Sequence, residues 1–135
     1  MPGSFFDTNV LVHLTSTDAT KASRARGLTD GGGTISVQVL NEIANVTRRK
    51  LGFSWLETRD FLSLVSGLLS IIPMTLRIHE TGLGLAERYG LSIYDGMIAA
   101  AALDSGCDTL WSEDLHDGLV IGGRLTVVNP FRPEG

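Results

Sequence analysis

The feature of this sequence that most constrains its fold is a repeated change from short apolar runs to longer segments with helical periodicity. Most of these longer segments begin at Ser, Thr or Asp and then place apolar residues three or four positions apart, which is typical of capped helices. Short strands alternating with helices predict an α/β fold, with a parallel sheet and helices on both faces. The predicted strands cover residues 4–6, 34–36, 71–72, 109–111 and 125–128.

The helices between these strands have recognisable starts and stops. Ser54 and Glu57 have the spacing of a capping box, and Gly52 and Gly90 are suitable helix ends. The predicted helices cover about residues 19–28, 37–51, 55–68, 75–89 and 92–104, with a short helical or irregular piece at 10–14. In the last long helix, Tyr94 and Met97 begin a series with helical spacing that we expect to face the core.

Composition limits the class of protein. The chain has 135 residues, of which 43% are hydrophobic and 19% charged, and this favours one domain, residues 1–135, with a real core. We expect a cytoplasmic protein, because no window is long and apolar enough for a membrane helix and the N-terminus lacks the basic region of a signal peptide. The single cysteine, Cys107, excludes an internal disulfide; it follows a predicted helix end and is expected to be packed.

The charge balance is acidic. Eleven Lys and Arg against fifteen Asp and Glu give a net charge of −4. This is the wrong sign for a protein that holds nucleic acid by its overall charge. It is compatible with a nucleic-acid enzyme whose acidic residues surround a metal ion, and with a basic binding partner.

Four acidic residues from distant stretches fall at the ends of predicted elements. Asp7 follows the first strand and Asp114 follows the fourth. Glu42 comes early in the helix after the second strand, and Asp95 lies in the first turn of a helix that Ser92 can cap. Because ligands of open α/β sheets bind at the carboxyl ends of the strands, we expect these side chains to meet in one crevice.

Carboxylates gathered in this way repel one another unless a cation compensates them. Oxygen-only ligation favours Mg²⁺ or Mn²⁺ over Zn²⁺. One or two such ions can activate water and hold a scissile phosphate, which is the chemistry of phosphodiester hydrolysis. No Ser or Cys stands out as a nucleophile.

Each acid also has a structural interpretation that remains open. Asp7 can cap the short helix after it, and Asp95 completes a capping-box pattern with the serine three residues earlier. Glu42 can be a solvated helix residue. Asp114 and Asp117 lie in a polar loop, and Asp117 precedes a glycine, as is typical of a turn.

The motifs carry a family resemblance. They are the segment 7–11 (Asp-Thr-Asn-Val-Leu), Asn41-Glu42, the segment 94–101 (Tyr-Asp-Gly-Met-Ile-Ala-Ala-Ala) and the segment 110–115 (Leu-Trp-Ser-Glu-Asp-Leu). In this order the chain resembles PIN-domain ribonucleases and, more narrowly, the VapC toxins of bacterial toxin–antitoxin pairs.

The resemblance implies a three-layer sandwich with a short parallel sheet. It also implies an endoribonuclease that depends on Mg²⁺ or Mn²⁺, acts as a toxin, forms a homodimer and is inhibited by a VapB-type antitoxin. An antitoxin helix is then expected over the helices of the first half, with a basic side chain directed at the carboxylates.

The resemblance also assigns roles to single residues. Asp7 and Asp95 match the principal metal ligands, Glu42 the third acid and Asp114 the fourth, while Asp117 aligns with a further acid that can share that role. The first four are the predicted catalytic acids and are predicted to bind the metal, with Asp117 as an additional ligand.

Two polar residues match supporting positions of the family. Ser112 corresponds to a hydroxyl that hydrogen-bonds within the site, and Asn9 to a residue that helps to fix the first Asp. The family often has Ala after the Asp of its third motif, whereas this chain has Gly96, which is less favourable in a helix but is expected to leave the carboxylate in place.

Two other functions are compatible with the same residues. Asp7 at a strand end could be the covalent nucleophile of a phosphotransferase, although Asn9 stands where a second Asp would be expected. The acidic crevice could also belong to a catalytically silent module that receives a basic partner.

Overall fold

The computed structural model describes residues 3–132, and the strands of this range form one sheet. The strands are β1 (Gly3–Phe6), β2 (Thr34–Ser36), β3 (Ser70–Ile72), β4 (Cys107–Trp111), β5 (Val120–Ile121) and β6 (Leu125–Val128). Their order is β3-β2-β1-β4-β6-β5, and every neighbouring pair is parallel except β5 with β6. The predicted α/β class with a mostly parallel sheet is confirmed.

The helices begin at the predicted caps. Their bounds are α1 (Thr8–Val12), a 3₁₀ turn (His13–Thr15), α2 (Ala19–Asp30), α3 (Val37–Arg49), α4 (Trp55–Leu68), α5 (Leu76–Tyr89) and α6 (Ile93–Asp104). The side chains that accept hydrogen bonds from first-turn N–H groups belong to Asp7, Asp18, Ser36, Ser54, Thr75 and Ser92. None of the helices in residues 3–132 has the length and apolar character needed to span a bilayer.

The connections between strands give three layers. From β1 to β3 the chain steps across the sheet in one direction, and it then returns to place β4 on the other side of β1. Because crossovers between parallel strands are right-handed, the helices of these two stages lie on opposite faces. Fully buried side chains of the central strands, including Phe5, Ile35 and Leu110, form the core between the layers.

Several boundaries differ from the sequence prediction. β5 was not predicted, because two residues are too few to give a periodic pattern. Cys107 follows the end of α6 as predicted, but β4 already begins there, two residues before its predicted start, and the thiol is buried as expected. α2 continues to Asp30 and α3 ends at Arg49, which are ordinary differences of helix termini. Residues 133–135 of the predicted tail lie outside the described range.

Tyr94 is a clear error of the sequence prediction. Residues 96–102 of α6 are all buried, so this helix is surrounded by protein beyond its first turn. Tyr94 lies in that first turn and is 64% exposed, so it does not belong to the core face predicted for it. Helical spacing alone does not show that the first turn of α6 lies outside the core.

Gly96 has a packing role that the sequence did not reveal. A Cβ at this position would overlap the carbonyl oxygen of Gly82 on α5 and lie 3.0 Å from the Cβ of Ala86. In return, a Cβ on Gly82 would lie 2.6 Å from Sδ of Met97. The two glycines therefore allow α5 and α6 to pack closely, directly behind Asp95.

Candidate active site

The candidate site lies where the chain direction across the sheet reverses. β1 and β4 are neighbours, but the connections after them leave toward opposite sides of the sheet. Such a switch point opens a crevice at the carboxyl ends of the strands. Asp7 follows β1 at this point, and its backbone N–H donates to the carbonyl oxygen of Trp111 at the end of β4, at 2.9 Å.

Asp7 is buried and held at both carboxylate oxygens. Only 3% of the surface of Asp7 is exposed to solvent. Oδ1 accepts from the backbone N–H of Thr8 at 2.7 Å. Oδ2 accepts from the hydroxyl of Ser112 at 2.7 Å and from Nδ2 of Asn9 at 3.3 Å. These bonds fix the orientation of the carboxylate.

Asn9 and Ser112 link the two loops of the site. The amide oxygen of Asn9 accepts from the backbone N–H of Glu113 at 3.1 Å, so Asn9 joins the end of β1 to the loop after β4. Oγ of the buried Ser112 accepts from the backbone N–H of Leu115 at 3.3 Å. Both residues therefore make the contacts that their predicted supporting roles require.

The structure brings the four predicted catalytic acids together. Asp7, Glu42, Asp95 and Asp114 line one cleft with a volume of about 290 Å³. Glu42 is placed by α3, where Nε2 of Gln38 donates to its Oε2 at 2.9 Å. Asp95 is placed by the first turn of α6, because its backbone N–H donates to the capping hydroxyl of Ser92 at 3.1 Å.

Burial and mutual repulsion disfavour the charged form of three of these carboxylates, those of Asp7, Glu42 and Asp95. Burial raises the pKa of Asp7 to about 7, with smaller increases from the charges of Asp95 and Glu42, against hydrogen bonds from Ser112 and Thr8 that lower it. Burial also raises the pKa of Glu42, and the charge of Asp95 adds to this increase. The pKa of Asp95 is raised by burial and by Asp114. The cleft therefore favours a bound cation.

The structure does not bring Asp117 into this cleft. Its Oδ1 accepts from the backbone N–H of Asn129 at 2.8 Å, and its Oδ2 pairs with the guanidinium of Arg132 at 2.9 Å. These two hydrogen bonds lower the pKa of Asp117. In this geometry Asp117 connects Asn129 and Arg132 to the loop after β4, and its assignment as a metal ligand remains only a sequence prediction.

Four other polar residues of the cleft were not assigned by the sequence analysis: Thr8, His13, Lys50 and Glu113. Glu113 accepts from Nε2 of His13 at 2.8 Å and from Nζ of Lys21 at 3.3 Å. The position of Glu113 beside Asp114 was a usable signal. The contribution of His13 depends on contacts between distant segments, which spacing along the chain does not reveal.

The donor set fits a hard divalent cation that keeps part of its water. Within residues 3–132, no three His, Cys, Asp or Glu side chains form a ready-made metal-binding cluster. Mg²⁺ does not need such a cage, because it commonly uses one or two carboxylates together with water and substrate phosphate. The buried hydroxyl oxygen of Thr8 also favours a polar ligand in the cleft, because it makes no hydrogen bond within the described residues. This hydroxyl lies near Glu42 and lowers the pKa of that carboxyl, against the larger increase from burial.

A family model agrees with this arrangement. The model of the PIN domain matches residues 4–116, which include all four acids of the cleft. The chain belongs to the PIN domain family. No curated protein sequence matches it.

Solved structures of the PIN fold resemble the chain over nearly its whole length. A toxin–antitoxin complex from Klebsiella pneumoniae matches with a TM-score of 0.73 at 22% identity, covering 96% of this chain and 99% of the other. The Mycobacterium tuberculosis toxin VapC20, described as cleaving the sarcin–ricin loop, has a TM-score of 0.68 at 18% identity, with coverages of 82% and 91%. DNA-bound VapBC from Salmonella typhimurium has a TM-score of 0.65 at 19% identity, with coverages of 94% and 97%. At these identities the similarity establishes the fold that this chain shares with VapC toxins.

Proposed function

We propose that this PIN domain is a metal-dependent endoribonuclease and the toxin of a toxin–antitoxin pair. The observation that carries the proposal is the cleft itself: four carboxylates from four separate segments share it, and Asp7, Glu42 and Asp95 have raised pKa values there. Perturbed groups gathered in a cleft are typical of a catalytic site. VapC20, which shares the fold, is described as an RNA-cleaving toxin.

The acids would hold Mg²⁺ or Mn²⁺, with Asp7 and Asp95 as principal ligands and Glu42 and Asp114 as further ones. A bound ion supplies Lewis acidity at the phosphate and lowers the pKa of the attacking water. Asn9 and Ser112 keep the Asp7 carboxylate oriented toward the cleft. Lys50, at the C-terminal end of α3, lines the cleft and offers a positive charge to the RNA backbone.

The alternative of a phosphotransferase with Asp7 as nucleophile is disfavoured by geometry. Asn9 occupies the position where that mechanism would place a second acid, and its amide donates to Asp7 and accepts from the N–H of Glu113. An amide cannot act as the general acid or base of such a transfer.

The test is cleavage of a structured RNA by the purified chain. We expect cutting with Mg²⁺ or Mn²⁺, none in EDTA, and recovery when the metal is restored. Asp7→Asn is expected to abolish cutting while its circular dichroism spectrum stays that of the wild type. An absence of cutting with either metal, together with intact binding of a basic protein partner, would instead favour the catalytically silent module.

The partner is proposed to be a VapB-type antitoxin, since several proteins of this fold are described as toxin–antitoxin complexes. α4 exposes three large apolar side chains, those of Trp55, Leu56 and Leu64, on the half of the molecule where the partner helix is expected. Co-purification with the neighbouring gene product, and loss of cleavage in that complex, would support this proposal.

We also propose that the chain, residues 1–135, is one domain that acts in the cytoplasm as a homodimer. Light scattering coupled to size-exclusion chromatography measures the oligomeric state directly. A mass of one chain at micromolar concentration would contradict the dimer.

A further inference from the structure

A second cavity adjoins the carboxylate cleft. It has a volume of about 490 Å³ and lies between α3 and the first turn of α6. Glu42 and Val46 line both spaces, so a ligand that extends out of the cleft on this side enters the second cavity directly. Its remaining lining residues are Gln38, Asn41, Asn45 and Tyr94.

Three of these lining residues carry amides on one face of α3. Positions 38, 41 and 45 are three, four and seven residues apart, which places them above one another on a helix. The Gln38 amide is engaged, because its nitrogen donates to Glu42. In the described part of the chain, the side chains of Asn41 and Asn45 make no hydrogen bond and both residues are exposed, so their donors and acceptors face an incoming ligand.

Tyr94 supplies an aromatic ring on the opposite side of this cavity. It is 64% exposed although it adjoins Asp95, a proposed metal ligand. An exposed aromatic residue next to free amides provides a flat apolar surface and hydrogen-bonding groups in one place. This combination is used to bind unpaired bases of RNA, which stack on aromatic rings and are read at their edges.

We propose that this tyrosine–amide cavity binds one unpaired base of the RNA substrate, beside the phosphate that lies in the carboxylate cleft. The inference rests on the proposed ribonuclease function and adds a substrate preference to it. Asn and Gln amides pair in a bidentate manner with adenine, so adenine is the preferred base.

The lining favours a base over a protein helix as the occupant. An amphipathic helix needs a broad apolar groove, and the apolar part of this lining is limited to Tyr94 and Val46. The exposed apolar side chains of α4, such as Leu56 and Leu64, offer more apolar contact to a protein partner. Continuity with the cleft also allows one RNA molecule to fill the cavity and to place its phosphate in the cleft.

The first experiment measures binding without cleavage. Fluorescence anisotropy in Ca²⁺, which also binds carboxylate oxygens, with the RNA checked on a gel to be uncut, gives the Kd of the full chain for labelled five-nucleotide RNAs whose central position is adenine, uracil or abasic. Tyr94→Ala is expected to raise the Kd for the adenine RNA about 5- to 100-fold, as expected for loss of one stacked base, and Tyr94→Phe is expected to retain binding. The double substitution Asn41→Ala and Asn45→Ala is expected to remove the preference for adenine over uracil.

Ile93→Ala is the matched control. Ile93 precedes Tyr94 in the same helical turn and is 57% exposed, but it does not line the cavity. We expect this variant to bind all three RNAs as the wild type does. Equal Kd values for Tyr94→Ala and Ile93→Ala would overturn the proposal, and so would a wild-type Kd that is the same for the adenine and abasic RNAs.

The second experiment separates this proposal from the proposed function. Sequencing the products of a randomised RNA cut in Mn²⁺ is expected to show adenine enriched at one position next to the cut, with the enrichment lost in Tyr94→Ala. Cutting without any base preference would overturn the base site and leave the ribonuclease intact. Base-dependent binding without cutting would contradict the ribonuclease and leave the base site intact. If Tyr94→Ala changes only the dimer or the capture of a protein partner, the cavity is a protein interface and the proposal is overturned.

Discussion

Two groups of carboxylates in this molecule have opposite environments. In the cleft, the buried Asp7 lies near the half-buried Glu42 and Asp95, and the pKa values of all three are raised. In the tail clamp, which we define as Asp117 with Asn129 and Arg132, one partly exposed acid meets a backbone N–H and a guanidinium, and its pKa is lowered. The charged form of a carboxylate is thus disfavoured in the cleft and favoured in the tail clamp.

This difference in environment distinguishes acids that stabilise the folded state from acids that destabilise it. A compensated carboxylate such as Asp117 contributes a local tie at the surface. Uncompensated buried carboxylates cost stability, and such a cost is usually associated with function. Glu113 is intermediate: burial would raise its pKa, but hydrogen bonds from His13 and Lys21 lower it, although it lines the cleft.

The largest expected difference between the two groups is in catalysis. We expect Asp95→Asn to lower RNA cleavage in Mn²⁺ by at least about 100-fold, because a proposed metal ligand is lost, as charge-stabilising groups of this kind contribute several kcal/mol. Asp117→Asn is the matched control and is expected to keep its activity within about twofold. Initial rates on one RNA, with folding checked by circular dichroism, measure both. A loss of cleavage in Asp117→Asn would restore its assignment as an additional ligand, and full activity in a folded Asp95→Asn would refute the cleft as the active site.

The second prediction concerns the packing behind the cleft. Gly96→Ala is expected to destabilise the protein by ~1–3 kcal/mol, because overpacking against Gly82 outweighs the better helix propensity of Ala. Gly84→Ala on α5 is the control, since a Cβ there meets nothing within 4 Å, and it is expected to be neutral or stabilising. Urea denaturation compares the two. Equal stability of both variants would show that α5 and α6 can separate without cost.

The third prediction is that the free energy of unfolding depends on pH because of the raised pKa of Asp7 in the cleft. The pKa of Asp7 is about 7 in the folded chain and close to 4 when unfolded. Between these values the unfolded state binds fewer protons, so the free energy of unfolding in EDTA is expected to fall as pH rises from about 4 to above 7. Mn²⁺ binds the ionised form and is expected to restore stability at high pH.

Denaturation at pH 5 and pH 8, with and without Mn²⁺, measures this dependence. Asp7→Asn is expected to flatten the pH profile and to reduce the stabilisation by Mn²⁺. A wild-type stability that rises between pH 5 and pH 8 in EDTA, and that Asp7→Asn does not change, would contradict the assigned pKa.

The smallest expected effect belongs to the clamp. Asp117→Asn loses the ion pair with Arg132 but keeps a carbonyl oxygen for the N–H of Asn129. Exposed ion pairs contribute little, so we expect the Tm to decrease by only ~1–3 °C, and less at high salt. Differential scanning calorimetry at two salt concentrations tests this. A Tm decrease that salt leaves unchanged would mean that the pair acts by something other than charge.

The sequence by itself determined much of this protein. The change between short apolar runs and capped helices is a local signal, because caps and periodicity are properties of neighbouring residues, and it predicted the α/β class and most helix starts. The order of the acidic motifs, at the ends of those elements, was sufficient to predict that Asp7, Glu42, Asp95 and Asp114 share a cleft.

Only the tertiary structure decided which local interpretation applied where two were open. The local sequence around Tyr94 fits a core position, and that around Asp117 fits a metal ligand. In the structure, however, Tyr94 is exposed beside the cleft, and Asp117 is paired with Arg132. Gly96 is explained only by its contact with Gly82 on another helix. In each case the partner is distant in sequence or belongs to another element, and the spacing of residues along one segment carries no information about it.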